Sequence, residues 1–359
     1  AGYPGVLFAF DADARPGARG GPGAIPAFSV TGGSVIAVDL LLGASTEGIA
    51  HDALSSPGNS GGPIVNACGA VVGLHTAGAG DVFRTLVLPS DRIEAIIADD
   101  RVAAVTLTGS EGAGRAVASQ AGQHLKPSVL ELGGSDAYVV LADADIEAAA
   151  EVCADSRLTN SGQSCIAAKR FIVVDEVHDQ FVDAFTSELE SRTVGDPMAE
   201  GTDVGPQAKV DLRDELHEQV ESSVAAGAEL LFGGVVPDGA GAFYPVTALA
   251  GVEPGMVAFD EELFGPVAAI TRASDENHAV ELANRSRFGL GGAVFTTDVE
   301  RGRTIAATRM NTGNCFVNAK VASDPRLPFG GIGVSGYGRE LSETGIQAFV
   351  NAKTVAVTN

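Results

Sequence analysis

The sequence predicts an α/β protein: a parallel α/β body from about residue 81 onward, preceded by an all-β segment over about 1–80. Three observations lead there. Beyond residue 81, long helical periodicities alternate with short apolar runs, the pattern of strands joined by helical crossovers. Residues 1–80 are rich in Gly and Pro, contain no Lys, and alternate β-branched runs with turn signals. The chain has 359 residues, 45% of them hydrophobic and 19% charged, which is enough for two or three packed domains.

The elements follow in order. The runs 34–42, 63–66 and 70–75 read as short strands, and the Gly/Pro-rich stretch 15–26 reads as a loop. The runs 102–107, 128–132, 171–174, 267–271 and 293–296 read as strands of the parallel sheet. Two helices stand out: 145–158, which opens after an Asp-rich cap, and 210–226, amphipathic and acid-rich on one face. No internal repeat is visible.

Charge removes whole classes of partner. A formal net charge of −23, spread through the chain without a basic stripe, repels nucleic acid phosphates and anionic membranes. Lys occurs only at 126, 169, 209, 320 and 353. Such scattered acidity suits a protein kept soluble in high salt and an ordinary acidic cytoplasmic enzyme equally well. The cysteines, Cys68, Cys153, Cys165 and Cys315, lie far apart without CxxC pairs or His at ligand spacing, so neither a zinc site nor a disulfide framework is expected. A reducing, cytoplasmic compartment fits. No apolar run reaches the roughly 18 residues of a membrane span, and no signal peptide opens the chain. It begins at Ala1 rather than Met, which leads us to expect a fragment.

The chemistry centres on Cys165, in Asn-Ser-Gly-Gln-Ser-Cys at 160–165, a small-residue turn between a helical pattern and a strand. A lone Cys is ordinarily a small buried hydrophobe, but a nucleophile must be reachable and able to become thiolate, which such a turn permits. Three further segments give it company. Glu-Leu-Gly-Gly at 131–134 ends an apolar run, presenting Glu131 beside glycines that admit a close backbone. Thr-Gly-Ser-Glu-Gly-Ala-Gly at 108–114 joins strand to helix and could set N–H groups against a diphosphate. Glu-Glu-Leu-Phe-Gly-Pro-Val at 261–267 places a carboxylate and an aromatic ring ahead of a strand.

Together, and in this order, these segments resemble the aldehyde dehydrogenase superfamily, and the resemblance continues through Pro-Phe-Gly-Gly at 328–331 and Ser-Gly-Tyr-Gly-Arg-Glu at 335–340. It implies Cys165 as nucleophile and Glu131 as general base, oxidising an aldehyde to the acid with NAD or NADP. It further implies Gly109, Ser110 and Gly114 near the cofactor diphosphate, Glu262 on the nicotinamide ribose, and Leu132 and Phe264 beside the nicotinamide. Ser135, Asp136 and Cys315 take structural roles. Within the superfamily, 165–171 and 324–331 look most like succinate-semialdehyde dehydrogenases; Arg157, Arg170 or Arg326 could hold the substrate's distal carboxylate. A homo-oligomer joined through 353–358 is the family expectation. No metal is implied.

The same resemblance implies an amino-terminal cofactor region longer than this chain offers, with a ribose-binding Lys and a Pro-Trp-Asn-type oxyanion segment; there is no Trp here and no Lys before Lys126. An oxyanion donor is worth about a hundred- to a thousand-fold in rate. In its place, Pro-Gly-Asn-Ser-Gly-Gly-Pro at 57–63 and the run 69–78 resemble the nucleophile region of trypsin-like serine peptidases, with Ser60 as nucleophile and His75 by the specificity pocket. The base and its Asp partner would precede Ala1. The expected organisation is thus a peptidase-like half-barrel over 1–80, a truncated Rossmann-type cofactor domain over 81–131, an aldehyde dehydrogenase catalytic domain over 132–330, and a return to the cofactor domain with the oligomerisation strand over 331–359. The competing reading is an inactive chimera of a peptidase remnant and a dehydrogenase body.

Overall fold

The structure is a computed structural model that describes residues 90–358, with side chains from 94 onward, and before them the backbone of short strands alone. Those strands are β1 (Val6–Asp11), β2 (Val35–Val38), β3 (Ile49–His51), β4 (Pro63–Val65), β5 (Val71–Gly78) and β6 (Thr85–Val87). Ser60 lies outside the described residues, as does the side chain of His75. The chain divides into two compact units, residues 1–132 with 336–359, and residues 133–335.

In the first unit, α1 (Ser90–Ala98) precedes β7 (Val102–Thr108), α2 (Glu111–Gln123) and β8 (Ser128–Glu131). β7 and β8 run parallel, and β1 lies antiparallel on the far side of β7. The antiparallel strands β2 to β6 form a separate sheet of order β2-β3-β6-β5-β4. Val105, Leu107, Leu130 and Leu132 pack with Ile97 and Ala121 to form this unit's core.

The second unit carries β9 (Ala137–Val140), α3 (Ile146–Arg157), β10 (Arg170–Val174), α4 (His178–Glu190), α5 (Val210–Ala225), β11 (Glu229–Phe232), β12 (Thr247–Ala250), α6 (Val257–Asp260), β13 (Val267–Ala273), α7 (Glu276–Asn284), β14 (Gly292–Phe295), α8 (Val299–Thr308) and β15 (Phe316–Val317). Back in the first unit, β16 (Gly336–Tyr337) pairs antiparallel with β8, and α9 (Ser342–Gln347) precedes an irregular tail. Capping sets the helix starts: Asp145, Asp275 and Asp298 each accept a backbone N–H in the first turn of α3, α7 and α8. The predicted helices 145–158 and 210–226 match α3 and α5 to within a residue or so.

The second unit's sheet has the order β11-β12-β13-β10-β9-β14-β15, parallel throughout except for the β11–β12 edge. Its central strands are buried on both faces, which is why they read as continuous apolar runs. Alternation then divides the core. Val139 and Ile172 point into one layer with Phe259 and Leu216, while Tyr138, Val140, Phe171 and Val173 point into the other with Phe181 and Phe185.

Register positions the site. Arg170 is level with Ala137 on one side and with Ala269 on the other, and Gly292 is level with Ala137. The segments entering β9, β10, β13 and β14 therefore emerge together at the amino ends of parallel strands. Those segments contain Gly133 to Asp136, Cys165 to Lys169, Glu262 to Pro266, and Gly289 to Gly291.

Candidate active site

The turn before Cys165 is built by an unusual backbone. Asn160, Ser161 and Gly162 take φ of +52°, +56° and +75°, three successive left-handed residues. Two of them are not glycine, a conformation that costs roughly 1–2 kcal/mol per residue and must be held from outside. Side chains hold it. Arg157, at the end of α3, donates through Nη2 to Gly162 O at 2.8 Å; Ser161 Oγ accepts from Gly205 N at 2.9 Å; Gln163 Oε1 accepts from Ala208 N at 2.7 Å. Gly162 has no alternative, because a Cβ there would stand 2.3 Å from the Gly265 backbone.

The glycines of the other motifs are explained by the same crowding. A Cβ on Gly134 would lie 2.7 Å from Cys165 O, and one on Gly133 would lie 2.2 Å from Glu262 Oε2. Glu262 Oε1 accepts from Gly134 N at 3.0 Å and pairs with Lys169 Nζ at 3.2 Å. Lys169 also donates to Ser164 O and to Cys165 O, each at 2.7 Å. Three motifs scattered along the sequence thus meet within the second unit. Cys165 itself is half-buried, whereas Cys153 is buried with its thiol pushed well up, and Cys315 is pushed up to about 12, both chiefly by burial.

Behind this edge lies a buried charge layer. Asp136 accepts from Gly291 N at 2.9 Å through Oδ1; burial raises it to about 6 against the opposing pull of Lys169. Arg170 was a candidate for a substrate carboxylate, and here its guanidinium is spent on backbone carbonyls: Ser135 O at 2.9 Å, Leu282 O at 3.0 Å and Ala283 O at 3.0 Å, the last two at the end of α7. Arg157, the second candidate, is fully buried and braces the turn before Cys165. Arg326, the third, is exposed and paired with Asp324 two residues away. The sequence gave no means of separating these three, because burial of an Arg depends on which carbonyls the fold brings to it.

In the first unit, Glu131 closes β8. It is 3% exposed, and neither carboxylate oxygen has a hydrogen-bond partner. Burial raises its pKa to about 8, helped by the Glu340 carboxylate and opposed by Arg339. Ser110 caps α2, its Oγ accepting from Ala113 N at 3.2 Å, and Gly109 N donates to Glu131 O at 2.9 Å. Gly114 is a packing glycine: a Cβ would stand 2.6 Å from the Leu132 methyls. At Gly112, by contrast, a Cβ would meet only Ser110 Oγ, at 4.0 Å. Lys126 donates to the carbonyls of Ile97 and Asp99. Phe264 is half-buried. Lys169, which no sequence motif singled out, is buried directly before Arg170, the first residue of β10.

Among the described residues no group of His, Cys, Asp and Glu could hold a metal ion, and no helix is long and apolar enough to cross a membrane.

A parallel sheet that offers a half-buried cysteine on a braced turn, tied through Lys169 to a fixed carboxylate, defines an α/β scaffold organised around a thiol. The chain belongs to the aldehyde dehydrogenase family, whose profile matches residues 77–355. It is 50% identical over 274 residues to the NAD(P)+ succinate semialdehyde dehydrogenase Sad of Escherichia coli (strain K12), covering 76% of this chain and 59% of that one. It is equally similar to the NADP(+) succinate-semialdehyde dehydrogenase of Mycobacterium avium (strain 104), 50% over 274 residues, covering 76% of this chain and 58% of that one. Among solved structures, the succinic semialdehyde dehydrogenase of Streptococcus pyogenes in complex with NADP+ superposes with a TM-score of 0.74 at 41% identity, over 76% of this chain and 60% of that chain. The chain spans less than two thirds of the length of these relatives.

Proposed function

We propose that the chain oxidises an aldehyde, with succinate semialdehyde as the first candidate, to the carboxylic acid with NAD or NADP, through Cys165 as nucleophile and Glu131 as general base. The observation that carries the reading is the meeting of Cys165, Lys169 and Glu262 between Gly133, Gly134 and Gly162. The substrate class comes from the relatives named above.

Cys165 Sγ, as thiolate, attacks the aldehyde carbon, forming the C–S bond of a thiohemiacetal whose oxygen takes a proton. NAD(P)+, when bound, supplies the acceptor for the hydride that leaves the thiohemiacetal carbon, and the hydroxyl proton returns to solvent as the thioester C=O forms. Glu131, once ionised, takes a proton from water, whose oxygen attacks the thioester carbon; the C–S bond breaks, the acid leaves and Cys165 is restored. A carboxyl raised to about 8 suits this task, since a base near working pH is strong enough to accept a proton and weak enough to release it.

The nicotinamide half of a cofactor site fits what is present. Glu262 is held from two sides, so its carboxylate is fixed to receive ribose hydroxyls; Leu132 and Phe264 are carried over for the ring from the family motifs alone. For the diphosphate, α2 offers the N-terminus of a 13-residue helix, with Gly109 and Ser110 at its start. Gly114 serves by packing. The exposed tail, with Val355 and Val357 facing solvent, is the segment for joining a second copy, and a cytoplasmic location belongs to the same reading.

The test is formation of reduced cofactor from succinate semialdehyde with NAD+ or NADP+. Turnover that a Cys165→Ala variant lacks, with kcat/KM at least tenfold above that for butanal, is the expected result. Turnover equal to the variant's would overturn the activity; equal use of butanal would overturn the substrate.

A further inference from the structure

Lys169 stands four residues after Cys165, and its side chain is fully buried. Burying an ammonium is costly unless its donors are satisfied and its charge is met. Both conditions hold here. Nζ faces three oxygens: Ser164 O and Cys165 O at 2.7 Å each, and Glu262 Oε1 at 3.2 Å. An ammonium has three N–H donors and no lone pair, so three acceptors suit it completely. A neutral amine would turn a lone pair toward one of these oxygens. The surroundings therefore hold the charged form, although burial pulls its pKa down. Glu262 opposes that pull first; Arg157 adds to it, and Asp136 and Cys165 oppose it.

Position adds a second reason. β10 begins at Arg170, so Lys169 is anchored from the sheet while its tip reaches back to the nucleophile turn. Lys169 N donates to Asp136 O at 3.1 Å, which fixes the backbone from which the side chain rises. One cation thus joins the strand entry, the turn and the Glu262 loop.

We propose that Lys169 is a positioning residue for the nucleophile: its ammonium fixes the Ser164 and Cys165 carbonyls to Glu262 and supplies the positive charge that favours the Cys165 thiolate. The inference rests on the reading of Cys165 as nucleophile. The Cys165 thiol gives its proton to solvent, leaving the electron pair on sulfur; Lys169 keeps its three protons and forms no covalent bond. Glu262 offsets part of the cation's field, so the two partners act on the thiol in opposite directions.

The experiment is alkylation of the full chain by iodoacetamide across pH, without cofactor or aldehyde, followed by peptide mass spectrometry. Sulfur–carbon bond formation expels iodide, so the rate reports the thiolate fraction. In the unsubstituted protein Cys165 should react faster than Cys153 and Cys315; equal rates would overturn the nucleophile reading and this inference with it. In Lys169→Met the Cys165 rate at about pH 7 should fall roughly tenfold, with the profile displaced upward by about one pH unit. A folded Lys169→Met protein whose profile matches the unsubstituted one overturns the inference and leaves the nucleophile reading standing. Should Lys169→Met fail to fold, Lys169→Gln decides: it can still donate to the two carbonyls but carries no charge, so the profile should again move upward, and an unchanged profile overturns the proposal.

Discussion

Replacing Glu131 by Gln separates the two halves of the proposed chemistry, because it keeps the shape of the side chain and removes its basicity. The carboxyl is raised from an ordinary 4.5 to about 8, by burial first and by Glu340 second. Such a displacement corresponds to roughly 5 kcal/mol in favour of the neutral form. About a tenth of the molecules then carry an ionised Glu131 at about pH 7, and about nine-tenths at about pH 9. A step that needs the anion should accelerate nearly tenfold over that interval, with its inflection near 8. A p-nitrophenyl ester gives the assay: on the proposed mechanism it should acylate Cys165 without cofactor and leave deacylation to Glu131. The unsubstituted chain should show a burst of nitrophenolate followed by turnover that rises with pH. Glu131→Gln should keep the burst and lose turnover by about a hundred-fold or more. Turnover that is flat between these pH values, or unchanged in the variant, would refute the assignment. Stability follows the same linkage: with the folded pKa above the unfolded one, the contribution of Glu131 is fully present below about 4.5 and is lost as pH rises through about 8. Thermal melts should therefore show Glu131→Gln gaining on the unsubstituted protein from about pH 5 to about pH 9.

Two glycine substitutions test the crowding around the Cys165 turn. Gly162→Ala combines a φ of +75° with a Cβ 2.3 Å from the Gly265 backbone, so urea denaturation should show a loss of about 2 kcal/mol or more; unaltered stability would contradict the packing described. Gly133→Ala meets only the end of the Glu262 side chain, at 2.2 Å, so the fold should survive while NADPH affinity drops about tenfold, and an unchanged dissociation constant would remove Glu262 from the cofactor's reach.

Some of this was written locally. The caps at Asp145 and Ser110, the buried runs that became β7, β10 and β13, and the order of the motifs all depend on neighbours within a few residues. The roles of the arginines were not written that way. By sequence, Arg157 and Arg170 were candidates for a substrate carboxylate, yet each is buried against carbonyls that come from other elements.

The sequence alone established the family motifs, Cys165 with Glu131 as the candidate pair, and the glycines that had to remain bare. A missing Cβ is a property of a single position, and the roles proposed for Cys165 and Glu131 came with the resemblance that the ordered motifs carry. Tertiary structure decided what surrounds the thiol. Parallel register brings the entries of β9, β10, β13 and β14 to one edge, and only that alignment lets the ammonium of Lys169 reach two carbonyls of its own turn and the carboxylate of Glu262. A charge buried in a low-dielectric interior takes its meaning from the few atoms within reach, and those atoms are chosen by the fold.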